Sequence, residues 1–169
     1  MELDTILTRM ASNGRVIRSL VEDCSDHQAR WRPEPGSWST LEVLNHLLDE
    51  EREDFRARID WVLHHPKDIW FKIDPGSWVL ERGYNQRKLD ESLAAFMAER
   101  QESLAWLKAL ESPDWDQGID APFGRMRSGD FLASWMAHDV LHIRQLVQLR
   151  WAYQTTWVDP YDVRYAGDW

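Results

Sequence analysis

Residues 128–153 carry apolar side chains on most sides of a helix: Phe131, Leu132, Trp135, Met136, Val140, Leu141, Ile143, Leu146 and Val147. Such a helix is unstable alone in water and demands partners on several sides. Three further runs supply them. Leu3, Ile6, Leu7, Met10, Ile17, Leu20 and Val21 repeat at helical spacing over about residues 2–24, with Asn13 and Gly14 interrupting the stripe. Gly14 either admits a close helix contact or simply weakens the helix. A second helix opens at the capping box Ser39-Thr40-Leu41-Glu42, runs through Leu44, Leu47, Phe55, Ile59 and Leu63, and is limited by Pro66. The third covers about residues 88–110, through Leu89, Leu93, Phe96, Leu104 and Leu107. No segment alternates clearly with the period of a strand. The expectation is an all-α protein, a four-helix bundle in one domain over residues 1–169, with the fourth helix the most buried and Ser128 or Asp130 as its N-cap.

The connections refine this. Residues 29–38 form a loop by their prolines and glycine, and 112–127 another, with Pro113, Gly118, Pro122 and Gly124. Residues 66–87 are too long for a turn between antiparallel neighbours, which predicts a crossover between helices two and three. The aromatics there (Trp70, Phe71, Trp78, Tyr84) either form a lid or cover a bundle end. The aromatic tail, 154–169, with Pro160, is expected to pack across the bundle.

Charge and composition exclude several functions. A net charge of -9 and no cluster of Lys and Arg argue against nucleic acid and against an anionic membrane surface. No apolar run approaches the ~20 residues of a membrane span, and the start Met1-Glu2-Leu3-Asp4-Thr5 is unlike a signal peptide. Cys24 is the only cysteine, which fits a reducing, cytoplasmic setting; nothing around it marks a lowered pKa, so it makes a poor nucleophile. The eleven tryptophans are read first as core and inter-helix filling.

Chemistry points to histidine. His138 and His142 stand four residues apart, on one face of the last helix. His46 lies on the apolar part of the second helix. The pair has two readings: hydrogen-bonded histidines in a helix interface, or two ligands of one metal. If helices two and four pack face to face, three neutral nitrogens converge and leave positions open, the catalytic form of a zinc site. The pair is not the zinc-protease motif, because the residue after His138 is Asp139 rather than glutamate. Glu50, one turn beyond His46, is a candidate base or an acceptor that orients an imidazole; Gln145, three residues after His142, is a candidate orienting group. Glu42 is already used by the capping box. His64 and His65 fall at a helix terminus, where they face carbonyls, and His27 reads as surface.

Two stretches bring a family into view. Gly124-Arg125-Met126-Arg127-Ser128-Gly129-Asp130-Phe131-Leu132, followed by His138-Asp139-Val140-Leu141-His142-Ile143-Arg144-Gln145, resembles the final helix of the DinB-like or YfiT-like superfamily of metal-dependent hydrolases. Trp38-Ser39-Thr40-Leu41-Glu42-Val43-Leu44-Asn45-His46 is similar to that family's Trp-Ser-x-x-Glu-x-x-x-His element. The resemblance implies up-down-down-up topology and a divalent metal, nickel or zinc with iron or manganese as further candidates, held by His46, His138 and His142. It implies an enzyme that activates water against a small-molecule substrate. Two alternatives stand beside it: a transferase or isomerase using a low-molecular-weight thiol, and a non-catalytic metal-binding protein of a stress response. A homodimer is expected, as the commonest assembly of such bundles.

Overall fold

The computed structural model describes residues 2–65, 70 and 72–167. Helix α1 spans Leu3–Val21 and a short α2 spans Asp26–Arg30. Helix α3 (Thr40–Glu50), a π-helical turn (Glu51–Phe55) and α4 (Arg56–His64) continue one another as the second long rod. The crossover contains α5 (Pro75–Glu81) and a 3-10 turn (Tyr84–Gln86). Then follow α6 (Leu89–Ala109), strands β1 (Gly118–Ala121) and β2 (Gly124–Arg127), and α7 (Ser128–Trp157).

Side-chain pairings fix the topology. Between α1 and α7, Asn13 meets Asp139 and Asp23 meets Arg150, so these helices run parallel. Between α3 and α6, Asn45 meets Ser92 and Glu51 meets Arg100, again parallel. Arg100 also reaches Met10, and Phe55 packs on Trp135 while His46 faces His142, which makes the other two neighbouring pairs antiparallel. The result is the expected up-down-down-up bundle. Consecutive helices one and two lie diagonally, and each packs on helices three and four.

The core has two apolar halves. One gathers Ile17, Leu44, Phe96 and Leu146; the other gathers Met10, Ile59, Leu107, Leu132 and Trp135. Each long helix changes from one half to the other at a polar stretch: Asn13 and Gly14, Glu50 and Glu51, Glu99 and Arg100, and His138 to His142. These stretches share one level of the bundle and build a polar layer through its middle.

Several expectations need correction. The most buried helix is α3, where all eleven residues are buried. It is contacted on every side, by α2, α5, α6 and α7. Helix α7 instead leaves Val140 and Leu141 more than half exposed. Residues 112–127 are not all loop, since β1 and β2 form an antiparallel hairpin with Gly118 opposite Arg127 and Ala121 opposite Gly124. Four-residue strands give too little alternation to detect, and only β1 sends residues, Gly118 and Ile119, fully inside. Gly124 holds the turn at φ 125, which a side chain would resist. The N-cap of α7 is Arg127, with Asp130 reaching back to its backbone N–H at 2.9 Å; Ser128 Oγ donates to the Asp114 carbonyl instead. Among the described residues the tail does not pack across the bundle: Tyr161 and Tyr165 are exposed. Trp78 and Tyr84 are buried against Trp38 and Ile73, so these crossover aromatics cover the bundle. Pro66 and Phe71 lie outside the described residues.

The second helix starts as its sequence dictates. Ser39 accepts from the Glu42 N–H and Glu42 accepts from the Ser39 N–H at 2.8 Å, closing the capping box. Arg32 also clamps Glu42, with one bond of 2.9 Å and a second shorter one. This ties the 29–38 loop, and Trp38 with it, to the start of α3.

Candidate metal centre

Helix geometry aims His138 and His142 the same way, one turn apart on α7. Their Nε2 atoms lie 3.0 Å from each other. His142 Nδ1 is 2.8 Å from Gln145 Oε1. An amide oxygen only accepts, so Nδ1 carries the proton and Nε2 presents its lone pair. His46 arrives from α3, its ring centroid 4.9 Å from that of His142 and 5.3 Å from that of His138. One nitrogen from each of the three lies within 4.8 Å of the others. Zn–N bonds of ~2.0–2.1 Å at tetrahedral angles separate neighbouring nitrogens by ~3.3 Å, so one ion needs His46 to move in and the other two rings to part slightly.

The electrostatics suit a cation. Burial, and next the charge His142 would carry, push His46 down to about 3. His138 is pushed down to about 3 by burial, then by His142, His46 and Arg100. Burial also lowers His142, against the pull of Gln145 and Asp139. All three imidazoles are therefore neutral near pH 7, the form that ligates metal. His46 Nδ1 is the buried side-chain polar atom without a hydrogen-bond partner among the described residues. Native interiors seldom leave such an atom unmatched. The nearby acceptor is Glu50 Oε1, 4.0 Å away, too far for a bond as it stands. The donor set and its neutrality fit a divalent ion.

Around the histidines, packing restricts movement. Trp38 lies 4.8 Å from the His46 ring and stacks parallel to His142 at 6.4 Å. Phe55 closes the other side at 5.1 Å from His138. Glu50 is buried, and its carboxyl is raised to about 8 by burial and by Asp54, against the opposing charge of Arg58.

The polar layer contributes more than the sequence reading foresaw. Arg100 is buried and donates to Glu51 at 2.8 and 3.0 Å, to Asp139 at 2.7 and 2.8 Å, and to the Met10 carbonyl at 2.8 Å. Asn13 adds a bond to Asp139 at 3.2 Å. Asp139 sits between the two α7 histidines in sequence, so this cluster fixes the helix that carries them. Gly14 makes room for it: a Cβ there would meet Arg100 Cγ at 3.4 Å. Burial pushes Glu51 up to about 7, with Arg100 opposing and Asp139 assisting. The sequence signal was present, since Glu51, Arg100 and Asp139 are charges inside otherwise apolar helices, but their meeting needed the topology.

The other candidates fall elsewhere. His64 is exposed and pairs with Asp60 at 3.6 Å; His27 is exposed and bonds to Tyr153 at 2.9 Å. Among the described residues, only His46, His138 and His142 form a cluster with metal-ligand spacing. Burial raises the Cys24 thiol to about 11, which disqualifies it as a nucleophile.

A bundle of this topology with three inward histidines defines a class, and residues 10–146 match the DinB superfamily. The chain belongs to that superfamily. Its structure is similar to YfiT from Bacillus subtilis, with a TM-score of 0.76 and 19% identity over 88% of this chain and 85% of that one. YfiT is described as a probable metal-dependent hydrolase with an unusual four-helix bundle topology. Among curated proteins none matches significantly. No described helix is long and apolar enough to cross a membrane.

Proposed function

We propose that this protein is a metal-dependent hydrolase acting on a small molecule, with a divalent ion, nickel or zinc, held by His46, His138 and His142. The observation that carries the reading is the meeting of three neutral imidazole nitrogens, one from each, within 4.8 Å of one another. Three uncharged ligands leave a bound dication its full charge, which polarises a carbonyl and acidifies water. The description of YfiT as a probable metal-dependent hydrolase supports this choice of reaction.

The chain's own residues have separable tasks. Gln145 fixes the His142 tautomer by accepting from Nδ1. Glu50 stands beside His46 Nδ1. It is placed to orient that imidazole through a modest approach, or to give and take a proton at Oε1. Trp38 and Phe55 cover two sides of the histidine cluster and exclude water from them.

Metal analysis of protein purified without a nickel column tests the reading. The expected result is about one divalent ion per chain. A content near zero that stays there after incubation with Zn²⁺ or Ni²⁺ overturns it.

A further inference from the structure

The three histidines come from two helices, so one ion is gripped only if α3 and α7 keep one relative height and rotation. Bonds to a metal tolerate errors of only ~0.2 Å. Apolar burial is non-directional and sets helix height loosely. Directional bonds at the same level of the bundle set it closely, and one side chain supplies most of them.

Helices α6 and α7 lie diagonally across the bundle, each packed on α1 and on the rod that begins with α3. Arg100 projects from α6 into the centre. Its Nε donates to Glu51, five residues beyond His46 on that rod, at 2.8 and 3.0 Å. Its two terminal nitrogens grip Asp139, the residue after His138, at 2.8 and 2.7 Å. One of them also donates to the Met10 carbonyl of α1. Arg100 thus reaches all four long helices, and it joins the rod that carries His46 to the helix that carries the other two ligands. Glu51, Arg100 and Asp139 are all fully buried.

A buried ion cluster adds little stability over apolar packing of the same volume; its best-attested use is to specify register. Here a slip of the rod against α7 by one turn, ~5.4 Å, would strand a buried carboxylate. Resting on the metal-dependent reading above, we propose that Arg100 is a positioning residue of the metal centre: its bridge from Glu51 to Asp139 holds His46 at the height and angle where its nitrogen meets those of His138 and His142. The planar fork is the essential part. Arg100→Lys keeps the charge but loses the two parallel bonds to Asp139.

Zn²⁺ affinity of the full chain, measured by competition with a chelating dye, tests this. Arg100→Lys should weaken binding ~10-fold or more. Arg56→Lys is the control, because Arg56 binds Glu99 and Ser103 and so joins α4 to α6 without touching α7. It should hold Zn²⁺ as the native chain does, even where urea denaturation shows a similar loss of stability. Equal weakening in both variants means general loosening and overturns the proposal. Glu51→Gln, which keeps the fork on Asp139 and removes the charge at the other end, should weaken binding ~3-fold or more; it carries the test if Arg100→Lys does not fold. Unchanged affinity in the folded variants also overturns the proposal. A readout on metal-free protein stands apart from the metal. The His46 ring lies 4.9 Å from that of His142 and 5.3 Å from that of His138, so cross-relaxation between their ring protons should be seen in the native chain and should weaken in Arg100→Lys or, failing that, Glu51→Gln. Its persistence overturns the positioning role. A native chain that takes up no Zn²⁺ but shows that weakening sinks the metal reading alone.

Discussion

Removing Arg100 should do more damage than removing any other charged residue of the bundle. Arg100→Leu deletes five hydrogen bonds and leaves Glu51 and Asp139 buried without their shared cation. Asp139 retains a neutral donor, Asn13 at 3.2 Å. Breaking a buried ion cluster on one side costs ~3–5 kcal/mol, mostly the desolvation of the charge left behind. The pH dependence identifies the cause. Glu51 is already raised to about 7 in the intact protein, and without the guanidinium it moves higher still. A carboxyl whose folded pKa is raised above its unfolded value contributes stability below the unfolded value and loses it as pH rises through the folded one. The variant should therefore recover at low pH: a deficit of ~3–5 kcal/mol at pH 8 should fall by at least ~1.4 kcal/mol, one pKa unit, at pH 5. Urea denaturation of both proteins at the two pH values measures this, and comparing the pair cancels acid effects common to them. A deficit below ~1 kcal/mol, or one that does not change with pH, would refute the buried-charge reasoning.

Four further outcomes are expected. His142→Ala should abolish metal retention and His64→Ala should not, as read by plasma emission; equal loss in both would mean that other ligands hold the ion. Glu50→Ala should weaken metal binding by ~10–100-fold if the carboxyl orients His46, measured by competition with a chelating dye, and an unchanged affinity would remove that role. His46 and His138, lowered to about 3 from 6.5, are uncharged when folded but protonate when unfolded, so stability should drain away as pH falls from 6.5 towards 3; His138→Phe should blunt that acid loss in metal-free protein, and identical acid profiles would contradict it. Addition of a small thiol to the Co²⁺ form should give no sulfur-to-metal charge-transfer band; a strong band would revive the thiol-transferase alternative.

Much of the bundle was legible because its cause is local. The capping box of α3, the helical spacing of three stripes and the excessive length of the 66–87 segment all depend on near neighbours in sequence. So did the shared face of His138 and His142. What escaped depends on contacts made across the fold. Helix α3 is buried throughout although it contains Glu42, Asp49 and Glu50, because Arg32 and Arg82 pair with the first two; hydropathy alone favoured α7. The hairpin went unseen because two four-residue strands, one of them facing water, barely alternate. The Arg100 cluster joins residues 10, 13, 51, 100 and 139, and no spacing rule links positions so far apart.

The π turn at Glu51–Phe55 has its own consequence, for anyone who would redraw this helix. There the Arg56 N–H reaches back five residues to Glu51, so one residue more than a regular turn holds is stored between His46 and the lower core. A wheel drawn in a single phase from Leu41 to Leu63 misplaces everything on one side of that bulge by about a quarter of a revolution. Shortening the rod by one residue within it would force a choice: Ile59 and Val62 keep their seats and the histidine swings away, or the histidine stays and the far end loses its grip on the bundle.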